Sequence, residues 1–435
     1  MFCNTSFGSG GGYPNITNFV GTHQHNDDIK IPKSDKNVNR DGKRKNEFST
    51  PTTTVAKILE KIASNNKHLV SNLNYNQRSV LSQISKCAKE ELGYVMSICD
   101  QCGHNQIVAS CKCNNRHCPS CGATKRKEWL KKFSERNFAT SNFHAVFTLP
   151  HELNSIIQQF PSQLLALLCK EAANTLMEFA QDPKYLGGTP FLTTVLHTWT
   201  QDLRYHPHVH CLISGGAISQ NMDKWIEPKN KDFLFPVKAL SKKFKGAFIS
   251  GLKTLINEGK VVLPPQFRNP SGTIDFLSIL PKKWLVYCKP PYKGKDVVLK
   301  YFARYTNRAG ISDNRIEEIN DNEILIKLKR DPAEINTNGA KKTVTLTKIE
   351  FFKRFFTHVL PKSFHRIRHF GLSSPRCSKE NVESAKKLLN QDSCPEKESP
   401  ILENMFCPKC QSKNTRIISS RPSKFGRIRI QIDTS

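Results

Sequence analysis

Residues 191–217 read FLTTVLHTWTQDLRYHPHVHCLISGGA. Two apolar runs, Phe191–Trp199 and Tyr205–Ala217, flank a short polar stretch, the pattern of two neighbouring strands, the second expected to end at Gly215-Gly216. Within it, His206, His208 and His210 alternate. Residues two apart on a strand share a face, so His208 and His210 can aim two imidazoles at one ion. Gln201, seven residues before His208, can supply a third, oxygen ligand, with His197 and Asp202 as competitors. Two or three ligands leave positions open for substrate oxygens, as a catalytic ion requires. A polar strand edge is the competing reading of the alternation, and His206, before Pro207, can simply begin the strand.

Outward from this pair the chain mixes elements. FHAVFTLP (143–150) reads as a strand, residues 154–179 as helical by period, and Leu240–Glu258 as a basic amphipathic helix. WLVYCKPP reads as another strand, VVLKYFARYTNRAG as a helix stopping at Gly310, RIEEINDNEILIKLKR as a hairpin, and VTLTKIEFFKRFFTHVLP as a strand entering a helix. Val55, Ile58, Leu59 and Ile62 recur at helical spacing, as do Val80, Leu81, Ile84 and Cys87. No internal repeat is visible. The fold class expected is α+β. Five segments follow: a disordered basic arm (1–52), a helical lead-in (53–95), a small zinc-binding segment (96–135), the main domain (136–372) and a polar tail carrying a CxxC (373–435).

Across 435 residues, 66 Lys and Arg face 37 Asp and Glu, a formal charge of +29. Such an excess points to a polyanion, nucleic acid first. Hydrophobic residues make up 37%, which excludes a membrane protein and a wholly disordered chain. No window holds the roughly 18 consecutive apolar residues of a transmembrane helix. The opening MFCNTSFGSGGGYPN lacks the features of a secretory signal. A reducing cytoplasm is therefore expected, where 15 cysteines serve as metal ligands or free thiols rather than disulfides.

Cys99-Asp-Gln-Cys102 and Cys118-Pro-Ser-Cys121 are two CxxC pairs, and together they can complete one tetrahedral structural zinc site. Cys111, Cys113 and His117 lie between them, so Cys113 or His117 can alter the ligand set, or a second ion can bind. The site would present a basic helix beginning at Thr124, with Lys125 and Arg126, to DNA. Cys407-Pro-Lys-Cys410 is half of a zinc knuckle, with Cys377 and Cys394 as candidates to complete it.

Tyr301 and Tyr305 are spaced i, i+4, which puts two phenols on one helix face about 6 Å apart. Arg304 and Arg308 form a second such pair, suited to phosphate oxygens. A phenol with a pKa near 10 attacks poorly at neutral pH unless a cation or base assists. An ion at the histidines would give that help; without the histidine strand the pair reads as aromatic packing. In KALSKKFKGAFISGLKTL (238–255) lysines interleave with Phe244, Phe248 and Leu252, and Phe364–Phe370 holds Arg366, Arg368 and His369. Both segments can track a DNA backbone, although a solvated face over core aromatics is the preferred reading for any single residue.

HPHVH resembles the His-hydrophobe-His motif of HUH endonucleases, and YFARYTNRAGIS resembles the two-tyrosine motif that follows it. The blocks CDQCG…CNNRHCPSCG, FHAVFTLPHEL, LHTWTQDL, VYCKPP and HVLPKSFHRIRHFG, running in order from Cys99 to Gly371, are similar to those of the insertion sequence ninety-one family of transposases. The resemblance implies an HUH nuclease domain, a central antiparallel sheet flanked by helices, preceded by a small zinc-binding domain. It implies rolling-circle transposition: cleavage and joining of single-stranded DNA at element ends and target through a 5′-phosphotyrosine link, without a nucleotide triphosphate. His208 and His210 match the motif histidines, Gln201 the third ligand, and Tyr301 and Tyr305 the nucleophiles. The implied cofactors are structural Zn2+ and catalytic Mg2+ or Mn2+. Departures are the extra Cys111, the long N-terminal arm, and Asn307 and Gly310 in place of bulkier residues. A rolling-circle replication initiator with the same chemistry, or a zinc-finger DNA-binding protein without catalysis, are the alternatives.

Overall fold

Thr54 accepts the Lys57 amide at 3.3 Å and so caps α1 (Val55–Asn65), whose Val55, Ile58, Leu59 and Ile62 form one buried face. The computed structural model describes residues 54–122, 140–289, 310–328, 343–390, 407–413, 415–422 and 428–433. After α2 (Lys67–Ser71), a reciprocal capping box between Asn74 and Gln77 opens α3 (Tyr75–Ser85). β1 (Tyr94–Cys99) and β2 (Asn105–Ser110) form a hairpin, and β3 (Asn142–Thr148) follows. The helix expected over 154–179 is two helices, α4 (Asn154–Gln159) and α5 (Pro161–Gln181), because Pro161 cannot donate an amide and starts a new helix at its first position.

β4 (Gly188–Trp199) and β5 (Tyr205–Ser219) are the long strands, and β6 (Trp225–Ile226) is short. The glycine pair does not end β5 as the sequence suggests; the strand runs through it. A Cβ on Gly215 would stand 2.1 Å from Ser141 Oγ, and one on Gly216 would stand 2.4 Å from Trp225 Nε1, so the glycines admit neighbours rather than make a turn. Next come α6 (Val237–Asn257), α7 (Gly272–Ser278), β7 (Val286–Lys289), β8 (Ile316–Glu318), β9 (Glu323–Lys327) and β10 (Thr343–Thr347). The chain continues through α8 (Lys348–Thr357), β11 (Ile367–Gly371), α9 (Lys379–Leu388), β12 (Thr415–Pro422) and β13 (Ile428–Asp433).

The class is α+β. The central sheet has the order β11-β4-β5-β3-β7, with β6 on β5, and its pairings are antiparallel. One face, bearing Phe143, Ala145, Phe147, Leu192, Leu196, Val209, Cys211 and Ile213, packs on α5 and α6. The alternate residues of β3, β4 and β5, among them His144, His197, His208 and His210, point the other way. A second core joins α1 and α3 to α8 and to the β10-β9-β8 sheet through Phe351, Phe352, Phe355 and Phe356. The third sheet has the order β13-β12-β1-β2. Its outer pair comes from the segment expected to be a polar tail, with β12 running antiparallel to β1 from Tyr94↔Ser420 to Cys99↔Thr415. Among the described residues no helix is long and apolar enough to cross a membrane.

Candidate functional site

The register of β4 on β5 places His197 directly opposite His208 and Val195 opposite His210. Three imidazoles thereby meet. Ring centroids lie 4.7 Å apart for His197–His210, 4.9 Å for His208–His210 and 5.5 Å for His197–His208. One ligand nitrogen from each lies within 4.8 Å of the others. His208 Nδ1 donates to the His206 carbonyl at 2.7 Å, which leaves Nε2 as the lone-pair nitrogen. Burial holds His208 down to about 4 and His210 well below its ordinary value, the latter helped by His197, His208 and His144. Neutral imidazole is the form that binds a metal.

The third imidazole of this group is His197, one of the competitors to Gln201. β4 ends at Trp199, so Gln201 sits in the exposed turn beyond it, where its carbonyl accepts from Arg315. Asp202 is also elsewhere engaged: its carboxylate accepts from Thr200 and from Arg204 Nε at 2.7 Å. Sequence spacing named three candidates, and strand register is what brings His197 among the imidazoles. A further imidazole that the sequence reading missed, His144 on β3, reaches His210 from behind.

Tyr301, Tyr305, Arg304 and Arg308 lie outside the described residues, as do Lys125 and Arg126. The residues that flank the tyrosine segment are described. On its N-terminal side, Lys289 pairs with His144 in the sheet. On its C-terminal side, a Cβ on Gly310 would lie 2.8 Å from Leu203 and 3.5 Å from the Trp199 ring, which itself stacks on His197 at 4.5 Å. The small residue that departs from the family pattern thus sits where little room exists.

The cysteines form two groups, not the single Cys99–Cys102–Cys118–Cys121 site expected. Cys118 and Cys121 join Cys87 and Cys113, while Cys99 and Cys102 join Cys407 and Cys410. In the first group Cys87 Sγ lies 3.5 Å from Cys118 and 3.6 Å from Cys121, and Cys113 lies 3.6 Å from Cys121. Four thiolates around zinc at about 2.3 Å stand about 3.8 Å apart. Hydrogen bonds from Cys113, Cys118 and Cys87 hold Cys121 far toward the thiolate. Cys87 read as one more apolar position of a helix, and only the fold turns it toward Cys118. His117 is buried outside the group, its imidazole kept neutral by desolvation and then by the charge of Arg116. Cys111 and Cys377 join neither group, and Cys394 lies outside the described residues.

Two expected DNA contacts have other surroundings. Arg366 is buried, its guanidinium 5.9 Å from the Trp199 ring centre, and desolvation followed by Arg116 lowers it to about 10. It belongs to the packing beneath the histidines rather than to an open surface. Arg368 is half-buried, with its guanidinium 5.2 Å from the centre of the Phe364 ring. On α6, Phe244 and Phe248 are core residues, while Lys238, Lys242 and Lys243 are exposed.

Comparison with known proteins gives two family matches. Residues 192–381 match a model described as "Putative transposase", and residues 56–149 match one described as "Transposase zinc-binding domain". The protein named "Putative transposase y4qJ" of Sinorhizobium fredii is 35% identical over 339 residues, covering 77% of this chain and 84% of that protein. The "Transposase for insertion sequence element IS801" of Pseudomonas savastanoi pv. phaseolicola is 24% identical over 305 residues, covering 68% and 70%. No solved structure matches significantly. The first family match contains all of His197, His208 and His210, and the second all of Cys87, Cys113, Cys118 and Cys121.

Proposed function

The chain belongs to the insertion sequence ninety-one family of transposases, and on that footing we propose that it cleaves and rejoins single-stranded DNA at the ends of its element and at the target. Tyr301 and Tyr305 are the nucleophiles, working beside His197, His208 and His210. The observation that carries this reading is the histidine group itself, with the residues on both sides of the tyrosine segment fastened to it. Lys289 is paired with His144, and Gly310 is packed on the Trp199 ring that stacks on His197.

The reaction needs a phenol oxygen to attack phosphorus in line with the departing 3′-oxygen. The tyrosine Oη forms the new bond, the P–O3′ bond breaks, and the 3′-oxygen leaves as a hydroxyl carrying the proton the phenol gives up. The 5′-phosphate stays on tyrosine, so the bond energy is kept for joining, which reverses the step with a 3′-OH as attacker. The second tyrosine serves the second transfer. Arg304 and Arg308 suit the phosphate oxygens flanking the attack, and the formal charge of +29 suits the strand as a whole.

Three neutral imidazoles fit a divalent ion. Their all-nitrogen set favours a transition ion such as manganese over magnesium, which prefers oxygen ligands. Bound there, the ion supplies positive charge to the scissile phosphate and to the developing oxyanions.

Incubation of the full chain with single-stranded oligonucleotides carrying the element's ends, plus manganese, tests the reading. A covalent protein–DNA adduct that resists denaturation is expected, and it should disappear in the Tyr301→Phe, Tyr305→Phe double variant. Persistence of the adduct in that variant would remove the tyrosines from the reaction. Equal cutting of double-stranded ends would count against single-strand specificity.

A further inference from the structure

Neither family match reaches Cys407 and Cys410, yet the fold sets them against Cys99 and Cys102. Cys99 Sγ lies 3.5 Å from Cys410 Sγ, and Cys102 Sγ lies 3.6 Å from Cys407 Sγ. All four sulfurs fall within 4.8 Å of one another. These separations approach the edge of a thiolate tetrahedron, about 3.8 Å for zinc bonds of about 2.3 Å.

The two loops that bring the sulfurs together have the same backbone. In Cys99-Asp-Gln-Cys102-Gly103-His104, Gly103 N donates to the Cys99 carbonyl at 2.9 Å and Cys99 N to the His104 carbonyl at 2.9 Å. In Cys407-Pro-Lys-Cys410-Gln411-Ser412, Gln411 N donates to the Cys407 carbonyl at 2.9 Å and Cys407 N to the Ser412 carbonyl at 2.9 Å. The fifth residue of each is left-handed, Gly103 at φ 67° and Gln411 at φ 58°. A non-glycine residue in that region is strained, so the second loop adopts the shape of the first at a cost. Matched CxxC turns of this kind point two sulfurs each toward a common centre. An ion pair between Arg416 on β12 and Asp100 inside the first loop ties the two together independently of the sulfurs.

We infer that Cys99, Cys102, Cys407 and Cys410 hold a second zinc ion, separate from one at Cys87, Cys113, Cys118 and Cys121, and that this ion fastens the C-terminal strands β12 and β13 to β1. The ion serves as a staple. With four protein ligands it has no open position for substrate, and its place at the end of β1, where Cys99 faces Thr415, makes it the lock of the four-stranded sheet. The zinc-binding domain is in this way composite, assembled from stretches some 300 residues apart in the chain.

Zinc content of the full-length chain tests the inference. The Cys407→Ser, Cys410→Ser variant is expected to lose one zinc per chain while keeping the zinc of the other cysteine group, and to become open to protease within β12 and β13. A Cys410→His variant keeps a ligand at that corner and should retain the zinc, which separates loss of metal from general failure to fold. Cobalt substitution of the wild-type chain should show thiolate charge-transfer absorption that falls by about half in the double serine variant. Unchanged zinc and cobalt spectra in that variant would overturn the site. So would simultaneous loss of both cysteine-bound ions, or a disulfide linking Cys99 to Cys410 in the native chain. Each outcome is independent of the tyrosine chemistry.

Discussion

His144 Nε2 stands 3.0 Å from His210 Nδ1, with the two rings stacked at 5.1 Å. When its Nδ1–H donates to His144 Nε2, His210 would offer a metal its Nε2, the same nitrogen that the His206 carbonyl leaves on His208. In the proposed reading His144 is a positioning residue that holds the ring of His210. His144→Phe should weaken manganese binding by roughly 10–100-fold, measured by titration calorimetry, and leave the cysteine-bound zinc unchanged. His144→Gln, which keeps a hydrogen-bonding group, should recover part of the loss.

His197→Ala should reduce covalent adduct formation by more than the roughly 10–100-fold carried by outer partners of a metal site. Gln201→Ala should stay within a few-fold of wild type, because Gln201 lies in the exposed turn beyond β4 rather than on the strand that carries His197. Adduct yield on denaturing gels compares the two. The reverse order would restore Gln201 as the third ligand.

Stability should fall in mild acid. His358 is buried; its Nε2 donates to the Leu203 carbonyl at 3.0 Å and its Nδ1 accepts from Thr198 Oγ1 at 3.2 Å, and desolvation lowers it from 6.5 to about 4. The unfolded chain takes up this proton first. Its contribution is therefore complete above pH 6.5 and is lost as the pH falls toward 4, roughly 3 kcal/mol for this one group. Urea midpoints at pH 7.5 and 4.5 read the difference, and a His358→Gln variant should flatten part of the slope.

Gly371→Ala should cost roughly 1–3 kcal/mol. Gly371 has φ 56° and its added Cβ would lie 2.1 Å from the Pro190 carbonyl oxygen on β4. The damage should be confined to the β11 edge, so amide exchange there should quicken more than in β3 or β5.

Phe244→Ala should cost about 3–5 kcal/mol, since this side chain is fully buried against Phe147 and Trp284. DNA affinity per folded molecule should not change. Replacing exposed Lys242 and Lys243 should instead lower affinity and flatten its salt dependence, leaving the melting temperature nearly unaltered.

Much of this protein was legible along the chain. Apolar runs marked β3, β4 and β5, and the alternation of the histidines put His208 and His210 on one face, because a strand fixes side-chain direction locally. The motif blocks carried the family, and the CxxC spacing carried zinc. Tertiary structure decided the partners. Which of His197, Gln201 and Asp202 joins the imidazoles depends on how β4 registers against β5, a relation between strands that spacing within one of them does not contain. The glycines of β5 looked like a turn because their real reason, the approach of Ser141 and Trp225, lies outside the strand. The cysteines show the division most clearly. A pair two residues apart announces that it binds something, but the pair that completes the tetrahedron can come from anywhere in the chain. Here Cys118 and Cys121 find Cys87 and Cys113, while Cys99 and Cys102 wait for residues more than 300 positions later. The strand pairing of β12 with β1 brings them, and no local pattern encodes that meeting.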